Sequence, residues 1–351
     1  MDHFAKRALS ALGLLVALAL PTVLAAASAA APGDTYELVA HFASGHLLFA
    51  VAGVGDIGFG DDKAGVVGFL VDPNGLAQRF SRSEREGERH GSSEGLRLDL
   101  RSIVLDRSGP TWRFAVDRDE LRLDLAIHGE GGAGRSSSPL ARPTTALAPG
   151  CPFEVLASAA PVSGTLSRPG AQAPVALEGR LSATHRISNG LEADCELRRV
   201  ELFSLDGPTG IYFTEIAKPD GGTARWLLVS HGDRVVFAGA PDSARLAWRE
   251  SSSDPGYPQL ASVRFTAPGG VSGTVDVSPP AVVYDPTERL AAPVRWAVLT
   301  RTNPRLLASP ARFELAQPGG GRQTGAGVAR VTYANPLPPG HRDSSLAAGG
   351  Q

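Results

Sequence analysis

Between residues 96 and 127 apolar and charged side chains alternate almost without a break. Leu96, Leu98 and Leu100 alternate with Arg97, Asp99 and Arg101. Trp112, Phe114 and Val116 alternate with Arg113 and Asp117. Leu121, Leu123, Leu125 and Ile127 alternate with Arg122 and Asp124. A period of two sends one set of side chains to a dry face and the other to a wet one, as in antiparallel strands with one solvated side. The joins at 106–110 and 117–120 have hairpin length. Shorter runs of the same kind lie at 36–42, 46–52 and 66–71, and beyond 160 at 175–177, 181–185, 198–205, 211–216, 226–229, 261–265, 271–277, 294–299, 311–315 and 328–333. Turn residues separate them, among them Asp72-Pro73-Asn74-Gly75 and Asp220-Gly221-Gly222. No long 3.6-residue pattern competes, so the expected fold class is all-β, a barrel or sandwich build. The mixed-charge stretch 79–94 has no apolar period and reads as a solvated loop.

The first 30 residues read as a signal peptide. Lys6 and Arg7 precede an apolar run from Ala8 to Leu20, and Ala27-Ser28-Ala29 offers small residues for cleavage. No later run approaches the roughly 20 apolar residues of a membrane-spanning helix. The processed chain is therefore expected to be exported, to a periplasm or the outside, with no integral membrane segment. What remains exceeds one ordinary core. The expected domains are residues 31–160 and 161–334, with a disordered Pro/Gly/Ser-rich tail at 335–351. The segment 129–150 is either a linker or a long loop. Net charge is −2 and basic residues are scattered among acidic ones, which excludes the clustered positive footprint that nucleic acid requires. Cys151 and Cys195 are the two cysteines. In an oxidising compartment they read as a disulfide, with two buried free thiols as the alternative.

Several motifs match a pattern without its context. Gly53-Val54-Gly55-Asp56-Ile57-Gly58 has dinucleotide-binding spacing, yet Phe59-Gly60-Asp61-Asp62 starts no helix to hold a pyrophosphate. A loop at a barrel mouth is the better reading. Gly91-Ser92-Ser93-Glu94-Gly95 has the spacing of a nucleophile elbow but precedes a strand rather than a helix. His41 and His46 flank a turn with no third metal ligand in view. No metal and no cofactor are expected.

His185 stands apart. It shares a strand face with Leu181 and Ala183, where an imidazole is costly unless it is hydrogen-bonded. It is either a satisfied core residue or part of a site. Glu215 raises the same question beside Phe213. If the two lined one cavity they would make a general acid–base pair. Tyr212, Phe213 and Trp226 are the aromatic residues expected to contact a ligand.

The segments Val162-Ser163-Gly164-Thr165-Leu166, Val175-Ala176-Leu177-Glu178-Gly179-Arg180-Leu181, Thr184-His185-Arg186, Glu201-Leu202-Phe203-Ser204-Leu205 and Gly210-Ile211-Tyr212-Phe213 resemble the middle of the tandem lipocalin-like family that includes hydroxyneurosporene synthase (a carotenoid hydratase) and the AttH-type proteins. The resemblance implies two lipocalin-like antiparallel β-barrels in tandem and an apolar lipid or isoprenoid as partner. His185 is the residue that carries over to a family position. Three functions follow as expectations: binding of an apolar ligand, hydration or isomerisation of an apolar substrate with His185 and Glu215, or a structural role without a cavity.

Overall fold

A computed structural model describes residues 33–55, 63–85, 90–92, 95–107, 111–128, 141, 151–171, 173–188, 195–206, 209–231, 234–251, 254, 256–288, 290, 292–300, 302–316 and 321–337. The expected signal peptide, Ser93, residues 56–62 in and after the glycine motif, nearly all of 129–150 and the tail beyond 337 lie outside the described residues.

Eleven strands form the first sheet: β1 (Gly33–Phe42), β2 (Leu47–Gly55), β3 (Lys63–Val71), β4 (Ala77–Arg85), β5 (His90–Ser92), β6 (Gly95–Asp99), β7 (Ile103–Asp106), β8 (Thr111–Arg118), β9 (Leu121–His128), β10 (Phe153–Ser167) and β11 (Val175–Ser188). Ten form the second: β12 (Arg198–Ser204), β13 (Thr209–Ala217), β14 (Thr223–His231), β15 (Arg234–Gly239), β16 (Ser243–Arg249), β17 (Gln259–Ala267), β18 (Val271–Val277), β19 (Val282–Tyr284), β20 (Arg305–Ala316) and β21 (Arg322–Tyr333). Every pairing is antiparallel, and in each sheet the first strand pairs with both the second and the last. The two halves thus repeat one topology.

Alternate side chains decide where each strand faces. In β1, Leu38, Ala40 and Phe42 join a core that draws residues from ten of the eleven first-sheet strands, so that sheet is rolled into a barrel. In β12 and β13, Val200, Leu202, Ile211 and Phe213 join a second such core. The opposite faces form a third apolar layer between the barrels, where Val39, Phe49 and Phe153 meet Phe203, Tyr212 and Trp226. Burying each large apolar side chain contributes about 1.5–3 kcal/mol. Both interiors are filled by side chains. A Cβ at Gly68 would sit 2.1 Å from the Phe80 ring opposite it, and one at Gly273 would sit 2.3 Å from Phe265. The glycines make room for rings that occupy the barrel centres.

The barrels are also joined by charge. Glu37 and Arg186 of the first barrel, Arg199, Glu201 and Arg330 of the second, and Glu196 in the connection are all buried. Arg199 reaches Glu37 at 3.1 Å, Glu201 at 2.9 Å and Glu196 at 3.3 Å. Arg186 grips Glu196 with two bonds of 3.2 and 3.1 Å. Arg330 contacts both Glu37 and Glu201, and Tyr212 donates to Glu201 at 2.8 Å. Three arginines balance three carboxylates, which is what allows such charges to leave water. Beside this layer, Cys151 and Cys195 form a disulfide with Cα atoms 6.1 Å apart. It ties the approach to β10 to the approach to β12.

Three expectations need correction. The sheets change over between Ser188 and Arg198, so an expected boundary at 160/161 falls inside β10. β10 and β11 read as the start of a new domain because their partners, β9 and β1, lie on the other side of that boundary. The segment 294–299 is not a strand but most of a helix, α1 (Ala292–Leu299). A short apolar run does not by itself separate strand from helix, and Pro293 suits a first helical turn. The expected loop at 79–94 overlaps most of β4, which Phe80 anchors in the first core.

Candidate functional site at the open end of the first barrel

The start of β1 sets the site. Asp34, Tyr36 and Leu38 share the interior face of that strand, and Tyr36 lies directly across from His185 on β11. The two rings stack with centroids 4.4 Å apart and planes 10° from parallel. Glu154 on β10 lies across from His185 on the other side. The imidazole therefore sits between two carboxylates, with Nε2 3.0 Å from Asp34 Oδ1 and Nδ1 3.6 Å from Glu154 Oε2. Its side chain is 13% exposed, against 50% for Asp34. This is an imidazole held at a mouth, with its hydrogen-bonding need met.

Behind this rim Leu38, Leu105, Leu156, Trp112, Ala183 and Tyr36 pack against one another with Arg107 at their edge, leaving no space as large as a water molecule. The Arg107 guanidinium carbon lies 4.8 Å from the Trp112 ring centre, a cation–π distance. Burial lowers the pKa of Arg107, while Tyr36 and Glu154 pull it the other way. Burial, with Asp34 and Glu154 adding and Arg107 opposing, pushes the Tyr36 phenol up to about 12. Tyr36 is thus a neutral hydroxyl at any ordinary pH. The arrangement presents an apolar wall, one cation, two carboxylates, one imidazole and one phenol to whatever enters.

The other expected site residues lie elsewhere. Glu215 is buried inside the second barrel, with Arg198 on one carboxylate oxygen at 3.0 Å and Arg225 on the other at 2.8 Å. It does not meet His185, because the chain crosses from one barrel to the other between them. Both its oxygens are occupied, which suits an ion pair rather than proton transfer. Phe213 stacks on Phe265 in the second core, with centroids 6.2 Å apart. Tyr212 and Trp226 point out of that barrel, into the layer between the two, where Phe153 and Phe203 surround them. Their strand parity sends them there. His41 reaches Asp206 of the second barrel at 3.4 Å, and His46 bonds Ser44 at 3.0 Å.

Searches of protein-family models and of curated proteins give no match to this chain. Solved structures do match it. The AttH-designated protein of Nitrosomonas europaea is 12% identical with a TM-score of 0.62, covering 87% of this chain and 93% of that one. Kievitone hydratase of Nectria haematococca is 10% identical with a TM-score of 0.57, covering 88% and 90%. CghA with Sch210972 gives 10% and 0.57, covering 89% and 90%. This chain has their fold. At such identity the likeness concerns the tandem lipocalin-like barrels and not the chemistry, so the site stands on its own residues.

Asp34, Tyr36, Glu154, Arg107 and Trp112 join a candidate site of which sequence reasoning singled out only His185. Trp112 and Tyr36 were legible as inward residues from their alternation. That β1 pairs with β11, about 150 positions away, was not, and this pairing alone brings Asp34 to His185.

Proposed function

We propose that this protein is exported and holds a small, largely apolar molecule carrying one polar group at the His185 end of the first barrel. The observation behind this reading is the apolar wall of Leu38, Leu105, Leu156 and Trp112 under a rim of opposite charges, Arg107, Asp34 and Glu154 around His185. The side chains fill this end of the barrel, so a ring or a chain end enters only as they move apart, and the remainder of the ligand stays outside. The polar group then lies among Arg107, Tyr36 and His185. A disulfide in the chain fits an oxidising destination, and among the described residues no helix is long and apolar enough to cross a membrane.

The test is native mass spectrometry with solvent extraction on the chain from residue 31 onward, purified without detergent. An apolar molecule retained at near one per chain, and lost in Trp112→Ala, supports the reading. A clean unliganded mass together with no binding of a hydrophobic fluorescent dye moves the function to a structural role.

A second reading is acid–base catalysis on an apolar alkene, favoured by the imidazole lodged between Asp34 and Glu154. Hydration requires a proton donor at one carbon and activation of water at the other. The pair for this chemistry is His185 with Asp34 or Glu154, and not His185 with Glu215. Incorporation of ¹⁸O from labelled water into an extracted isoprenoid, abolished by His185→Ala with the ligand still bound, would establish it. Binding without incorporation would leave the protein a carrier.

A further inference from the structure

Beyond β21 the chain crosses the end of the second barrel at which Arg198 pairs with Tyr333. Residues 334–337 leave the sheet there, and among the described residues their hydrogen bonds go to loops and connections. The Ala334 amide donates to the Leu197 carbonyl at 3.0 Å. The Ala334 carbonyl accepts from the Thr302 hydroxyl at 2.6 Å and from the Asn303 amide at 3.1 Å. Asn335 Oδ1 accepts from that same amide at 2.8 Å. Pro336 has no N–H to give. It lies against Gly256, where a Cβ would come 2.7 Å from the Pro336 Cβ. Leu337 then enters the barrel. It is 8% exposed and belongs to the second core, and its amide donates to the Gly256 carbonyl at 2.9 Å.

Leu337 is held less firmly than the core it joins. Most of that core sits on paired strands. Past Asn335 the crossing segment has one hydrogen bond among the described residues, from the Leu337 amide to Gly256. Segments attached so lightly open at a fraction of the cost of global unfolding. What Leu337 covers is apolar. Tyr257 follows Gly256 directly and meets Tyr333 edge to face, with centroids 5.5 Å apart. Both hydroxyls are engaged, Tyr257 donating to the Asn303 carbonyl at 2.6 Å and Tyr333 to the Pro258 carbonyl. Lifting Leu337 leaves a vacancy the size of one aliphatic side chain at the rim of this core. Apolar vacancies stay dry and take up small apolar groups. We propose that this end of the second barrel is a site for the end of an alkyl chain, with Leu337 as its built-in competitor. The chain end and the leucine occupy one place in turn, and the head of the ligand stays outside. The apparent affinity is then the intrinsic affinity scaled by the fraction of molecules in which the segment has lifted. This inference is independent of the first-barrel reading.

The test is titration of the chain from residue 31 onward with decyl maltoside below its micelle concentration, with maltose as the headgroup control. Calorimetry measures binding, and amide hydrogen exchange locates it. The parent is expected to bind decyl maltoside weakly and maltose not at all. Exchange of the Leu337 amide should quicken as decyl maltoside is added, while the Val331 amide on β21 stays protected. Leu337→Ser removes the competitor and should tighten binding about tenfold or more, the equivalent of one buried leucine side chain. Gly256→Ala pushes Pro336 away with the leucine still present, and should also tighten binding. It carries the test if Leu337→Ser does not fold. The proposal is overturned if the parent does not bind, if binding leaves Leu337 exchange unchanged, or if the folded variants bind no tighter than the parent. Leu337 is then an ordinary core residue. Exchange at Leu337 reports on the second barrel alone, so failure of the first-barrel reading leaves this test intact.

Discussion

The two barrels begin alike and end differently. Each first strand carries a buried glutamate that faces the other barrel, Glu37 in β1 and Glu201 in β12. Three residues before each glutamate stands an ionisable residue on the barrel's interior face, Asp34 in one and Arg198 in the other. Each barrel also sets an arginine over a tryptophan at this end, Arg107 on Trp112 and Arg198 on Trp248, at 4.8 and 4.3 Å. In the second barrel Arg198, Glu215 and Arg225 close on one another in a largely buried cluster. In the first, Asp34 lies half in water and turns to His185 at the rim. One topology thus yields a buried ion-pair cluster at this end of one copy and a half-exposed carboxylate–imidazole pair in the other, and a few ionisable residues make the difference.

The largest test of this contrast is Glu215→Leu. It strands Arg198, 3% exposed, without its partner, and stability should fall by about 3–5 kcal/mol in a urea titration. Replacing the pair together, Arg198→Met with Glu215→Leu, should recover most of that loss. If Glu215→Leu alone is harmless, the cluster is not structural and the contrast fails.

Removal of the tie between the barrels comes next. Cys151→Ser with Cys195→Ser opens a cross-link of sequence separation 44, worth about 4 kcal/mol by loop-closure entropy. Non-reducing denaturation of parent and variant measures it. A loss well under 1 kcal/mol would mean that the charged layer alone fixes the barrels.

Alkaline pH gives a third test. Tyr36 and Tyr257 are each pushed from 10.0 to about 12, and Tyr212 and Tyr333 are raised as well, burial being the chief cause throughout. The folded protein then keeps protons that the unfolded chain releases. This contribution to stability is whole below pH 10 and is lost as pH climbs toward 12. Melting temperature should drop steeply over that window, and Tyr36→Phe should remove the first barrel's share of the drop. An unchanged slope in Tyr36→Phe would place that phenol in water rather than at a dry mouth.

The smallest effect on stability is expected from Asp34→Asn. Its pair with His185 is half-exposed, so the cost should stay below about 1 kcal/mol. Retention of any extracted ligand should nevertheless weaken. A large stability loss here would make Asp34 a structural residue like Arg198 and remove the distinction between the two ends.

Local pattern specified much of this fold. The alternation at 96–127 gave β6, β8 and β9 and the inward set Leu98, Trp112, Phe114, Leu123 and Leu125, because a period of two settles which face a side chain takes. Asp72-Pro73-Asn74-Gly75 gave the β3–β4 turn, where Gly75 takes φ +84 and Asp72 Oδ1 receives the Asn74 amide. The inward parity of His185 and Glu215 was legible for the same reason. The pairing of Cys151 with Cys195 needed only a count of two.

What sequence alone could not decide was which strands meet. Antiparallel neighbours β1 and β11 are joined by nothing local, so the constellation of Asp34, Tyr36, Glu154 and His185 exists only once the first barrel closes. The same closure sends Glu215 to a different interior from His185. It also turns Tyr212 and Trp226 toward the other barrel, because a residue's parity says that it is buried but not against what. Alternation made this chain β. The pairing of first strand with last, reached only in the tertiary fold, closed both barrels and so brought together the ionisable residues in which their ends differ.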